Sequence, residues 1–154
     1  MLSMLLPFLK NAGAKLFGKD TDKEKSVKVK KHLQNLGFPV DEIVVSVNDD
    51  KVTLSGEVAS LDLEKKLLVS AGNVSGIKVV EDQLTVLQQI DIQIEPKENF
   101  YEVQKGDYLS KIAKRIYGNP MKYKAIFEAN KPMLKDPDKI YPGQVLIIPS
   151  KTEV

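Results

Sequence analysis

The chemistry this chain can offer sits largely in its backbone, at the stretch Gly72-Asn73-Val74-Ser75-Gly76-Ile77. Two glycines four apart lie between a helical pattern and a strand pattern. A turn of that kind leaves several carbonyls without helix or ladder partners. They either close a helix C-cap and a tight turn, or collect around a ligand. Side-chain chemistry is sparse beside this. Cys is absent, so there is no disulfide, thiol nucleophile or thiolate metal site. The single His32 excludes a multi-histidine metal site and has no nucleophile partner in its context. No G-x-S-x-G, H-E-x-x-H or P-loop is present. Asp49 and Asp50 could ligate a hard cation, but turn chemistry explains them better. The other carboxylates fall in helix, cap or turn patterns, and no enzymatic activity is expected.

The bulk numbers narrow the classes. At 154 residues the chain is one domain or two small ones. Basic and acidic residues, 23 and 21, are well mixed and give a net charge of +2, so no electrostatic case for nucleic acid exists. The lack of Cys fits a reducing compartment.

Several elements must position the central turn. From Met4 to Phe17, the residues Leu5, Leu6, Leu9, Ala12, Leu16 and Phe17 recur at mostly three- and four-residue spacing. This predicts short helical turns interrupted near Gly13. Residues 19–25 are all polar and read as an exposed connector. A helix is predicted from Glu24 to Leu36, with Val29, Leu33 and Leu36 buried, Gly37 as its cap and His32 partly exposed. Ile43–Val47 and Lys51–Val58 read as strands joined by a hairpin turn at Asn48-Asp49-Asp50. Ser60 caps a third helix that runs to Ala71 and feeds the central turn. A strand follows from Ile77 to Leu87. Residues 89–99, with Pro96, read as a linker. Beyond it, the pattern is strand (Phe100–Val103), helix (Tyr108–Tyr117), helix (Lys122–Asn130) and strand (Gln144–Ile148).

The N-terminus imitates an export signal. Its apolar run is nine residues long and contains Pro7, and Ala12-Gly13-Ala14 looks like a cleavage site. No Lys or Arg precedes Lys10, however, and the run is too short to cross a bilayer. A retained structural segment is the expectation.

Two resemblances add to this reading. Residues 100–150 carry Tyr101-Glu102-Val103-Gln104-Lys105-Gly106-Asp107, Leu109, Ile112-Ala113, Tyr117-Gly118, Ala129-Asn130 and Ile140-Tyr141-Pro142-Gly143-Gln144-Val145-Leu146-Ile147-Ile148-Pro149. This resembles the LysM domain family, which implies a βααβ fold with Asp107 as a helix N-cap. It also implies a groove for N-acetylglucosamine polymers, formed by Gly106, Asp107, Tyr108 and Leu109 facing Lys131, Pro132, Met133, Leu134 and Ile140. Tyr108 departs from the small hydroxyl residue usual at its place, so a protein-partner role for this fold stands beside glycan binding. Residues 24–88 carry Leu54-Ser55-Gly56-Glu57-Val58 and the stretch from Gly72 to Asp82. They resemble a single BON domain of αββαβ pattern, preceded by a leader over residues 1–23. The expected class is α+β with two small domains.

The whole chain, with Lys10-Asn11-Ala12-Gly13-Ala14-Lys15-Leu16 ahead of one BON and one LysM domain, resembles a family of small bacterial cytoplasmic potassium-binding proteins. The resemblance implies a monomeric, non-enzymatic K⁺ sensor. Its ion would be held by the backbone carbonyls of Leu9, Ala12, Ala14, Gly72, Val74 and Ile77. The chemistry is reasonable, because K⁺ suits a ring of neutral carbonyls, whereas Ca²⁺ and Mg²⁺ prefer carboxylates. The alternatives are a peptidoglycan-binding LysM protein of the cell envelope and, less favoured, a protein that binds a membrane surface through its BON domain or apolar leader.

Overall fold

The computed structural model describes residues 4–9, 11–87 and 99–150. The chain divides into two compact units, Met1–Asp91 and Ile92–Val154. Both mix helix and strand, so the class is α+β, with βαββαβ and βααβ element orders in the respective units.

In the first unit, α1 (Asp22–Leu36) begins with a capping box. The Thr21 hydroxyl accepts the Glu24 N–H at 3.2 Å, and the Glu24 carboxylate accepts the Thr21 N–H at 3.0 Å. The helix therefore starts inside the polar run expected to be a connector. Gly37 closes it in the left-handed region. Strands β2 (Val44–Asn48) and β3 (Lys51–Val58) form an antiparallel hairpin that turns at Asp49-Asp50. Next, α2 (Leu61–Gly72) opens at Ser60, whose hydroxyl accepts the Leu63 N–H at 3.2 Å. It carries the chain across to β4 (Val79–Val86), which pairs parallel to β3. A parallel pair requires such a crossover, and α2 provides it. Val29, Leu33, Val52, Leu54, Leu67, Leu68 and Val80 lie in the core beneath the helices.

The leader is the main correction. Residues Met4–Pro7 form a strand, β1, rather than a helical turn. It pairs antiparallel with β4, with Met4 opposite Asp82 and Pro7 opposite Val79, and completes the sheet order β1-β4-β3-β2. The apolar spacing fits a helix, but the backbone groups of this short run find their partners on β4. Pro7 suits the end of an edge strand, where a missing donor costs little. The expected apolar stripe does not form: Leu5 is 60% exposed and Leu9 49%, whereas Phe8 is buried at 7%.

In the second unit, β5 (Asn99–Glu102) pairs antiparallel with β6 (Val145–Ile148). Helix α3 (Leu109–Tyr117), a single 3₁₀ turn at Pro120–Lys122 and α4 (Tyr123–Ala129) lie between them in sequence. The expected linker falls mostly outside the described residues, and Asn99 already belongs to β5. The core includes Leu109, Ile112, Ile126, Leu134 and Leu146. Asn130 joins α4 to β6: its amide donates to Ile126 O at 2.8 Å and Ile147 O at 2.9 Å, and accepts the Ile147 N–H at 2.8 Å.

Asp107 is not the helix N-cap. Tyr108 holds that position without a side-chain cap bond. The Asp107 carboxylate is taken up by the Tyr101 hydroxyl, the Gln104 N–H at 2.9 Å and Arg115 at 3.1 Å, so it is unavailable to the first turn of α3.

Candidate functional site

Helix α2 ends at Gly72, and Asn73 N–H donates to Val69 O at 3.0 Å as the last helical contact. A tight turn follows, in which Ile77 N–H donates to Val74 O at 3.0 Å. Asn73, Val74 and Ile77 are all buried. A buried turn is unusual, because its backbone polar groups must find partners away from water.

The leader supplies those partners. Phe8 N–H donates to Lys78 O at 2.7 Å. At the other end, Ala14 N–H donates to Asn73 O at 3.0 Å and Ser75 N–H donates to Ala14 O at 2.9 Å. Residues 8–14 and 73–78 are thereby fastened together at both ends. Leu9, Ala12 and Ala14 lie along one segment; Gly72, Val74 and Ile77 lie along the other. At Gly13 the two backbones approach too closely for a side chain, and at Gly72 and Gly76 aromatic rings take the space a side chain would need. A Cβ on Gly13, whose φ is +110, would sit 2.4 Å from the Asn73 carbonyl carbon. A Cβ on Gly72 would sit 2.0 Å from the Phe8 ring, and one on Gly76 would sit 3.0 Å from the Phe17 ring.

The oxygens are neutral. Leu9 O accepts the Ala12 N–H at 3.2 Å, and Ala14 O and Val74 O each accept one backbone bond as above. A carbonyl has two lone pairs, so one backbone bond does not exhaust it. Among the described residues, the carbonyls of Ala12, Gly72 and Ile77 take none of the turn, loop or cap hydrogen bonds. No group of three His, Cys, Asp or Glu side chains that could hold a metal ion occurs among the described residues. What these segments offer is backbone oxygen from two stretches of chain, the donor type suited to a large, weakly polarising cation.

The seating of the Phe8 and Phe17 rings against the turn escaped sequence reasoning, which placed Phe17 only in the leader's apolar spacing. Their signal was the pair Gly72 and Gly76, where a missing side chain makes room for a ring. Lys25 Nζ stacks over the Phe17 ring at 5.4 Å and covers it from outside. The two elements flanking the turn, α2 and β4, also meet through Glu64 and Asp82. Burial, and then the Asp82 carboxylate beside it, push the Glu64 carboxyl up to about 7.

The second candidate surface lies in the other unit. Leu109 and Leu134 belong to its core, so only their backbones can face a ligand. Met133 and Ile140 pack against that core, half-buried, and Pro132 follows a cis peptide bond. Gly106 and Lys131 are exposed, and Tyr108 is 57% exposed. Burial works to raise the Asp107 carboxyl, but the bonds from Tyr101, Gln104 and Arg115 outweigh it and hold the group below the usual carboxylate range. This loop is thus braced by side chains and presents an aromatic face.

Residues 21–88 match the BON domain family and residues 101–149 match the LysM domain family. The chain is 43% identical to the potassium binding protein Kbp of Escherichia coli over 152 residues, which span 96% of this chain and 99% of that protein. It is also 38% identical to an uncharacterized protein of Deinococcus radiodurans over 81 residues, or 53% of this chain and 30% of that one.

Proposed function

We propose a function from a plain premise: this chain belongs to the family of the potassium binding protein Kbp, with one BON and one LysM domain. It binds K⁺ through the backbone carbonyls of Leu9, Ala12, Ala14, Gly72, Val74 and Ile77. The observation that carries this is the buried turn fastened to the leader at both of its ends by backbone hydrogen bonds. A cation held between the segments links the leader to the BON core, so the chain responds to K⁺ by ordering its own N-terminus. It is a monomeric sensor without enzymatic activity, and it works in the cytoplasm. Incorporation of Met4–Pro7 into the sheet and of Phe8 into the core favours a retained leader over a cleaved export signal.

The test is a thermal melt in KCl and in NaCl at equal ionic strength. A ligand at about 100 times its dissociation constant stabilises the bound form by roughly 2.7 kcal/mol, which raises Tm by about 10 °C in a domain of this size. Identical melts in the two salts would overturn the proposal.

A second reading concerns the LysM unit alone. The exposed Tyr108 ring supports stacking on a sugar of an N-acetylglucosamine polymer. Sedimentation with purified peptidoglycan tests it: Tyr108→Ala should weaken retention if the ring stacks, and unchanged retention argues against that role.

A further inference from the structure

We propose that Phe8 is the positioning residue of the cation site: its ring, seated where Gly72 has no side chain, holds the leader carbonyls against the turn. K⁺ binding and the pairing of β1 with β4 then rise and fall together. The coupling rests on the K⁺ reading above and adds a residue that contributes no oxygen to it.

Phe8 joins the strand, the start of the leader's carbonyl segment and both ends of the turn. It directly follows β1 and directly precedes Leu9, the first carbonyl residue of the leader. Its N–H donates to the carbonyl of Lys78, the residue after Ile77. Its ring lies so close to Gly72, the first carbonyl residue of the turn, that a methyl there would fall 2.0 Å from the ring. One residue therefore contacts both ends of the turn and connects them to the strand.

Strand β1 needs such an anchor. It has four residues and pairs on one side only, at the edge of the sheet. Leu5 within it and Leu9 just after it are largely exposed and give it little burial. Phe8, by contrast, is 7% exposed. A short one-sided strand is marginal by itself, so its docking depends on that ring and on whatever else ties the leader down. In the K⁺ reading, the ion is that second tie. The missing side chain at Gly72 thus has a purpose separate from its carbonyl: it is the seat for the ring.

The experiment is a KCl titration of melting temperature on the full chain, with NaCl holding ionic strength constant. It is paired with hydrogen exchange of the β4 amides in each salt. Phe8→Ala should raise the K⁺ concentration for half-maximal stabilisation about tenfold or more, and Phe8→Leu about threefold. In NaCl, where the leader is not held by the ion, Phe8→Ala should change Tm little. Protection of the β4 amides that face β1 should be gained with KCl in the wild type, and only at higher KCl in the variants. Gly72→Ala should weaken K⁺ as Phe8→Ala does, and Phe8→Leu in the Gly72→Ala background should recover about threefold, because the shorter side chain leaves room for the methyl.

A wild type that melts alike in both salts overturns the K⁺ reading and the coupling with it. A wild type that responds to K⁺, with a Phe8→Ala variant that has the same half-maximal concentration and an equal loss of Tm in both salts, overturns the Phe8 proposal alone. Should Phe8→Ala not fold in either salt, the Phe8→Leu midpoint decides: unchanged, it overturns the proposal.

Discussion

Gly13 and Gly106 both take positive φ, +110 and +86, yet their surroundings are opposite. A Cβ at Gly13 would press into the backbone of Asn73, whereas one at Gly106 would meet nothing within 4 Å. The first glycine is needed for its conformation and for the close approach of two chain segments. The second is needed for its conformation alone. The contrast extends to the chemistry around them. Near Gly13 the hydrogen bonds between leader and turn, Ala14 to Asn73 and Ser75 to Ala14, run from backbone to backbone. Near Gly106 the loop is braced by Tyr101, Asp107 and Arg115, and Arg115 also lies 5.8 Å from the centre of the Tyr101 ring. A site built from carbonyls requires that side chains be kept out. A surface built for recognition by side chains has no such need, and Tyr108 can stand in solvent.

The sharpest test of this contrast is Gly13→Ala. The methyl would meet backbone atoms, which cannot swing aside, in a conformation already unfavourable for alanine. A loss of about 3 kcal/mol in KCl is expected, together with loss of any difference between KCl and NaCl melts. Asn130→Ala should cost about 2–3 kcal/mol, because the Ile147 N–H and the Ile126 and Ile147 carbonyls lose their buried partner. Urea melts should show this loss equally in both salts, since the residue belongs to the LysM unit. Gly106→Ala has open space and carries only conformational strain, about 1 kcal/mol, again without an effect on the K⁺ response. A Gly106→Ala cost as large as that of Gly13→Ala would break the comparison.

The smallest expected effect is a pH dependence. Burial and the neighbouring Asp82 raise the folded-state Glu64 carboxyl from 4.5 to about 7. Between those values the native state holds more protons than the unfolded chain, so stability falls as pH rises through that window. Glu64→Gln should remove this contribution. The variant should melt about 3 °C above the wild type at pH 8 and alike at pH 4, a modest shift because the carboxyl is half-buried. A pH profile identical to that of the wild type would show that Glu64 does not titrate there.

The elements that form by local rules were legible in the sequence. Ser60 ahead of its helix and the glycines after Leu36 and Tyr117 mark helix ends through contacts three or four residues long, whereas the equally local capping box of Thr21 and Glu24 lay unread inside the expected connector. Val52, Leu54 and Val58, at even spacing, form the buried face of β3, as a period of two requires. The carbonyl residues of the candidate site came from resemblance to a family, because any turn after a helix has spare carbonyls. The reading of the leader as helical turns failed for a related reason. Three- and four-residue apolar spacing is a helix signal only when the residues pack on a face of their own segment, and Met4–Pro7 instead pairs with β4. The expected N-cap role of Asp107 gave way to Tyr101 and Arg115, whose proximity no local pattern announces.

By itself, then, the sequence determined where the helices and strands after the leader lie, the supply of neutral backbone oxygen at Gly72–Ile77 and the scarcity of metal-binding side chains around it. Those properties depend on residue type and short-range spacing. The tertiary structure decided that residues 8–14 close over that turn, that Phe8 occupies the space left by Gly72, and that the first residues form a strand. Each of these depends on contact between segments more than fifty positions apart. Such contacts follow from how the whole sheet and its helices pack, and no stretch of sequence holds that information alone.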